Sequence, residues 1–369
     1  MKIGTITFHS SYNFGSNLQA YALQKFVCSL NEKIEYKIIN LRTKEQDEIN
    51  QLRYTNRVKN IVKSILFKKV LDRRSEVFER FINTKLNLTK KYSTKEEFHE
   101  DKECFDFYIS GSDQLWNTTA FDFNWLNYLD GVKSKNKISY AASFGPLSRN
   151  TFYDNKDKIQ KNLKEFKAIS VREEKSKEIV EECLNENKKI TINVDPTMLL
   201  TKEEWITLMD NKPIVDGDYI FYYTLKPSKE RVIFLKKLSK EMKMKVVVAA
   251  PSFKYEIFSG FIKKYESGPK EFLNLIYYSK LVVSTSFHGN VFSIIFNKPF
   301  YAIDGMSDNR ISHILKLSKL ENRSITINDD IRKLSQNYDK IDFSNIKKFF
   351  EEEKEKSKQF FIDALELKK

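Results

Sequence analysis

The feature that most constrains this chain is a repeated rhythm of short apolar strand, polar loop and helix. Residues 3–8 read as a strand, 9–17 as a loop of Ser, Asn and Gly, and 18–30 as a helix with Leu18, Tyr21, Ala22 and Phe26 along one stripe. Residues 34–41 return as a strand. Further strands are expected at 105–109, 137–142 and 168–171, the last followed by a charged helix over 173–184. Strands that alternate with helices are joined by crossovers rather than hairpins. Neighbouring strands therefore run parallel, with helices on both faces of the sheet.

Near Asp195-Pro196-Thr197 the pattern restarts. Strands are expected at 219–224, 245–250, 281–285 and 300–303, with helices at 228–242, 269–279 and 290–296 and a long charged helix at 345–367. At 369 residues the chain exceeds what one hydrophobic core usually organises. The expectation is an α/β protein of two Rossmann-like, doubly wound domains facing a cleft. Residues 1–200 form the first, assigned to the acceptor side and carrying a basic helical insertion at about 43–100. Residues 201–344 form the second, and 345–369 form a helix packing back across the domains.

Composition removes several classes. Hydrophobic content of 41% with 14% aromatic residues argues for packed cores. No stretch reaches the roughly 18 apolar residues of a membrane span, and the opening Met-Lys-Ile-Gly-Thr-Ile-Thr turns polar too early for a secretory leader. Cys28, Cys104 and Cys183 are widely spaced, which disfavours both a disulfide framework and a zinc cluster. A cytoplasmic location is expected. The net charge of +14 is uneven, because residues 51–95 alone contribute about +10. Within residues 57–74, Val58, Ile61, Val62, Ile65 and Leu66 recur at helical spacing among lysines. This amphipathic segment either packs its apolar stripe on the domain or rests on the anionic inner face of a membrane. Nothing accompanying the charge points to nucleic acid.

In open parallel sheets, ligands bind beyond the carboxyl ends of the strands, where helix N-termini present free N–H groups. That rule selects a few loops. His288 follows the strand at 281–285 and precedes Gly289, so a general acid or base and a close backbone approach coincide there. Arg172 ends the strand at 168–171, where a guanidinium binds a carboxylate or phosphate, or else pairs with Glu173 or a neighbouring acid. The first loop brings His9, Asn13, Gly15, Asn17 and Gln19, to be read as a ligand-facing loop or as a capped turn. Ser112, Asp113, Gln114 and Trp116 read either as a sugar-binding loop with a stacking Trp or as a turn beside a buried one. Ser143 ends the strand at 137–142. Asp216-Gly217-Asp218 reads as a turn rather than a metal site, and no metal is expected. No dinucleotide fingerprint, Walker loop or nucleophile elbow is present.

Taken in order, these blocks resemble the polysaccharide pyruvyl transferase family. They are Ile6-Thr7-Phe8-His9 with Asn13-Phe14-Gly15-Ser16-Asn17-Leu18-Gln19-Ala20, Ile109-Ser110-Gly111-Ser112-Asp113-Gln114-Leu115-Trp116-Asn117 and Ser139-Tyr140-Ala141-Ala142-Ser143-Phe144-Gly145. Ile169-Ser170-Val171-Arg172-Glu173, Val194-Asp195-Pro196-Thr197 and Ser284-Thr285-Ser286-Phe287-His288-Gly289 complete the set. The resemblance implies a GT-B-like fold and transfer of pyruvate from phosphoenolpyruvate to a sugar or lipid-linked oligosaccharide in exopolysaccharide or capsule synthesis. It implies no cofactor beyond that co-substrate. By the same resemblance Arg172 and His288 are catalytic, with Ser286, Gly289 and Arg310 at the substrate. Some members carry an arginine where Ser286 stands, which shifts anion binding toward Arg172, Lys298 or Arg310. Two rivals stay open: a glycosyltransferase of the same architecture using a nucleotide-sugar donor, and a non-catalytic glycan- or membrane-binding scaffold.

Overall fold

The computed structural model describes residues 1–50, 58–145, 149–185, 187–225, 227–249, 255–256 and 259–367, with backbone alone at 45, 49, 58–66 and 149–150. The chain folds as two compact units. Met1–Lys68, Phe78–Leu200 and Phe350–Lys369 make the first, and Lys69–Val77 with Thr201–Phe349 make the second.

The first unit is built on seven strands: β1 (Lys2–Ile6), β2 (Glu35–Leu41), β3 (Leu88–Tyr92), β4 (Phe107–Ser110), β5 (Lys137–Ser139), β6 (Phe166–Val171) and β7 (Ile190–Ile192). Their order is β3-β2-β1-β4-β5-β6-β7, with every pair parallel. The chain winds outward from β1 to β3, then returns to lay β4 on the other side of β1. Consecutive crossovers therefore diverge between β1 and β4, leaving a crevice at the carboxyl ends of those two strands. β3 lies inside the segment expected to be a helical insertion. Thr89 and Tyr92 are buried while Lys90 and Lys91 are exposed, a pattern that suits an edge strand guarded by charge.

The helix preceding β3, Val58–Lys85, is 28 residues long. Arg74 within it is buried and donates to the carbonyls of Tyr265 (3.2 Å) and Ser267 (2.9 Å), so residues 69–77 belong with the second unit rather than with the first domain. The side chains of Val58, Ile61, Val62, Ile65 and Leu66 lie outside the described residues, and with them the amphipathic stripe read as a membrane contact. Among the described residues no helix is long and apolar enough to cross a membrane.

From Phe350 onward the C-terminal helix, Ile346–Ala364, belongs to the first unit. Phe361 is wholly buried and stacks on Tyr140 at 4.6 Å, while the Tyr140 hydroxyl donates to Ser357 Oγ at 3.0 Å.

The second unit repeats the topology with six strands: β8 (Tyr219–Tyr223), β9 (Lys245–Val248), β10 (Ile262–Lys263), β11 (Leu281–Ser284), β12 (Phe300–Ile303) and β13 (Ser324–Ile325). The order β10-β9-β8-β11-β12-β13, again all parallel, puts its switch point between β8 and β11. β8, β11 and β12 are buried along their whole length, as sheets covered on both faces require.

Candidate active site

In the first unit, the helix after β1 spans Phe14–Leu30 and begins four residues earlier than its apolar spacing indicates. Asn13 is the reason. Its side chain accepts from the Gly15 N–H (3.0 Å) and Ser16 N–H (3.5 Å), an N-cap that draws residues 14–17 into the first turn. Asn17 and Gln19 are wholly buried. Asn17 Nδ2 donates to the carbonyls of His9 (3.1 Å) and Ser11 (2.9 Å), and Gln19 Nε2 to Thr7 Oγ1 (2.8 Å) and the Phe8 carbonyl (3.1 Å). These two amides brace the loop from inside. His9 is buried too, with Nδ1 2.9 Å from the Thr7 carbonyl oxygen and Nε2 3.0 Å from Asn40 Oδ1, and burial holds its pKa below the ordinary histidine value. It shapes the loop as a neutral ring.

Across the switch point, the turn after β4 comes close to β1. A Cβ on Gly111 would stand 2.9 Å from that of Thr7. Ser112 Oγ donates to the Ala141 carbonyl (3.0 Å), and Asp113 adopts φ +75° while accepting from the Ser16 hydroxyl (2.8 Å) and the Gln114 N–H (2.9 Å). Gln114 packs against Gly145, whose φ is +59°; a Cβ there would meet Gln114 Oε1 at 2.3 Å. Trp116 is not a sugar platform. It is wholly buried, stacks on Tyr128 at 5.3 Å and donates from Nε1 to Ser110 Oγ (3.0 Å). An indole sealed in the core has no face to offer a ligand.

Arg172 lies just past β6, 3% exposed, at the centre of a carboxylate cluster. Nη1 donates to Asp195 Oδ2 at 2.8 Å and stands 3.8 Å from Asp113 Oδ1, and Nε stands 3.5 Å from Glu173 Oε2. Burial alone would lower the guanidinium pKa, but Asp195, Glu173 and Asp113 outweigh it and hold the pKa above its ordinary value. Of the two readings the sequence leaves open, the ion pair is present. Each carboxylate is anchored in turn. Asp195 Oδ1 accepts from the Thr197 N–H (3.0 Å) and hydroxyl (2.7 Å), and Glu173 Oε1 accepts from Ser143 (2.7 Å) and from Ser176. Ser143, Asp113 and Arg172 thus belong to one network that ties the loops beyond β4, β5 and β6 together. Strand β5 stops at Ser139, short of the expected 142, because Ala141 turns to φ +46°.

In the second unit, the helix after β11 is Phe287–Ile295, so His288 sits in its first turn instead of preceding it. The Ser286 N–H donates to Ser284 Oγ (2.9 Å), and a Cβ on Gly289 would stand 2.3 Å from that same oxygen, so only glycine lets the helix start this close to the strand. Ser286 occupies the N-cap position without a side-chain cap bond. Across the switch point the hydroxyls of Thr224 and Thr285 meet at 2.7 Å. His288 is 6% exposed and lies beside the N–H groups of a helix start, where anions are favoured. Arg310 follows β12, and its guanidinium grips Asp308 through Nε (3.0 Å) and Nη2 (2.6 Å). Lys298 lies immediately before β12. Because the strands are parallel, that is the amino end of the sheet, opposite His288.

No apolar spacing or motif rule singles out the hydroxyls of Ser16, Thr224 and Thr285, which bridge these loops. Asp195 stands in the sequence only as part of a motif, yet it holds Arg172. An Asp before Pro at a helix start was the available signal, since Asp195 caps the turn Pro196–Leu199.

The chain matches the family model described as polysaccharide pyruvyl transferase over residues 13–305. No curated protein matches it. Among solved structures it is similar to a putative UDP-N-acetylglucosamine 2-epimerase from Listeria monocytogenes (10% identity, TM-score 0.52, covering 99% of this chain and 95% of that one). The E. coli trehalose-6-phosphate protein bound with UDP-2-fluoro glucose is also similar (10%, 0.52, all of both chains). So is the Neisseria meningitidis UDP-GlcNAc 2-epimerase bound to UDP-GlcNAc (11%, 0.50, 99% of each chain). At such identities the likeness concerns the fold, which is GT-B-like.

Proposed function

Because the chain belongs to the polysaccharide pyruvyl transferase family, we propose that it moves pyruvate from phosphoenolpyruvate onto a sugar of a bacterial-type polysaccharide or its precursor, forming a ketal and releasing phosphate. The observation that supports this most is His288 in the first turn of the Phe287–Ile295 helix, at the carboxyl end of β11 beside the switch point. An acid/base group and a helix start that favours anions occur together there, and the donor is an anion that must be protonated.

The chemistry follows from the donor. Protonation of its methylene carbon makes C2 cationic, and a sugar hydroxyl adds there. A second hydroxyl then displaces phosphate and closes the ring. In this reading His288 carries the proton to the methylene carbon. An anion approaching Arg172 competes with Asp113, Glu173 and Asp195, so we assign the donor's charge to the helix start at Phe287.

The test supplies the protein with a panel of sugars and either phosphoenolpyruvate or nucleotide sugars. Phosphate release from phosphoenolpyruvate, reduced about 10²–10⁴-fold in His288→Gln with an unchanged melting temperature, is expected. Consumption of a nucleotide sugar instead, or a His288→Gln variant as fast as the wild type, overturns the reading.

A further inference from the structure

Asn290 is the one side-chain amide among the described residues that is buried with neither end hydrogen-bonded. The amides of Asn17 and Gln19, equally deep, each donate from nitrogen. Asn290 has no exposed surface from which water could reach it. Burying an amide without partners costs free energy that a leucine, branched in the same way, would not incur. Such a group calls for a partner that arrives after folding, or for an ordered water.

Its place in the Phe287–Ile295 helix indicates which partner. Ser286 is the N-cap residue and makes no side-chain cap bond, and the Asn290 N–H closes the first turn on the Ser286 carbonyl at 3.2 Å. Asn290 therefore stands one turn beyond the N-cap on the same face. Helical side chains lean toward the N-terminus of their helix, so the amide lies over the helix start. A residue in this position packs against the one that precedes the N-cap. Here that residue is Thr285, whose hydroxyl meets that of Thr224 at 2.7 Å across the switch point between β8 and β11. The amide is thus aimed at a helix start where the dipole favours an anion. All of these residues belong to the second unit.

An amide presents a donor at Nδ2 and an acceptor at Oδ1. An ionised carboxylate offers acceptors alone and satisfies one end. A phosphate that keeps a proton satisfies both. Phosphate esters keep one up to a second pKa of about 6, and inorganic phosphate keeps one throughout the neutral range. We propose that Asn290 forms a phosphate subsite with this helix start, Nδ2 donating to a phosphate oxygen and Oδ1 accepting from the phosphate hydroxyl. On the pyruvyl-transfer reading, on which the identity of the ligand rests, this phosphate is the donor's and then the product's.

The experiment is calorimetric titration of the full chain with inorganic phosphate and with sulfate, beside thermal melts. Sulfate has the same shape and no proton at neutral pH. The wild type is expected to bind phosphate about 10-fold more tightly than sulfate, and Asn290→Leu to lose about 10–100-fold in phosphate affinity and the preference with it. Its melting temperature should be unchanged or raised. Asn290→Asp keeps the shape and the acceptor but adds charge, so it should weaken both anions and retain the preference; it stands in if the leucine variant does not fold. A leucine variant that melts lower and binds both anions as the wild type does overturns the proposal, because the amide then serves a structural water. A wild type that binds sulfate as tightly as phosphate, or binds neither, overturns it as well. Failure of the transfer reading looks different: phosphoenolpyruvate then yields no phosphate, while lost binding of inorganic phosphate in Asn290→Leu still upholds the subsite.

Discussion

With Asp113, Glu173 and Asp195 around it, the Arg172 guanidinium neutralises charge that the first unit would otherwise bury uncompensated. Removing one member of a buried ionic group costs more than the group contributes when intact, because the remaining charges stay desolvated without a partner. Arg172→Ala is therefore expected to lose about 3–5 kcal/mol in urea denaturation, so its activity reports on folding as well as chemistry. A denaturation midpoint close to wild type would show that the network is not needed for the fold. His288 differs in kind. It stands in the first turn of the Phe287–Ile295 helix, and a glutamine there keeps a polar side chain in place of the ring, which makes His288→Gln the variant for reading chemistry. The residue types at both positions were legible in the sequence, as was the choice facing Arg172 between anion and ion pair. Which option holds depends on Asp113 and Asp195, 59 and 23 positions away in the chain, arriving at one strand end.

At the scale of elements, the site is made by where helices begin. Apolar periodicity starts at Leu18 because that is where the buried stripe becomes regular. The backbone enters the helix at Phe14 because Asn13 satisfies two amides that would otherwise have no partner. Loss of this cap should unravel the turn that carries Ser16 to Asp113. Asn13→Ala is expected to destabilise the first unit by about 0.5–2 kcal/mol and Asn13→Asp by much less, read as shifts in denaturation midpoint. Equal losses for both would mean that the side-chain oxygen is not what holds the helix start. The helix after β11 begins at Phe287 for a related reason. Its start is fixed by Ser284 and by the absence of a Cβ at Gly289, and neither registers as periodicity.

At the scale of the whole molecule, each unit buries a carboxyl group that prefers to be neutral. Burial pushes Glu256 up to about 7, although the Tyr265 hydroxyl at 3.2 Å and the Lys263 charge oppose the shift, and Asp122 reaches about 7 in the first unit. A carboxyl whose folded pKa lies above its unfolded value contributes stability that is complete below the unfolded value, near 4. That contribution is lost as pH rises through the folded value. Glu79 and Asp308, held low by Arg42 and Arg310 in spite of burial, work in the opposite sense. The discriminating measurement is therefore a difference. The stability of the double variant Asp122→Asn/Glu256→Gln relative to wild type should move in the variant's favour as pH rises from about 4 to about 7. A pH-independent difference would mean that neither group is shifted.

By itself the sequence determined the class of fold and the family, because strand–loop–helix alternation and the ordered motif blocks are local patterns that survive without coordinates. The parallel sheets follow from crossovers too long for hairpins. The tertiary structure decided what each polar residue faces. Trp116, Asn17 and Gln19 look like binding residues in a loop that resembles a binding loop, yet packing seals all three. Asp122 looks like one more acid in a turn until burial raises its pKa. Desolvation depends on everything packed around a group, and most of those neighbours are distant in the chain.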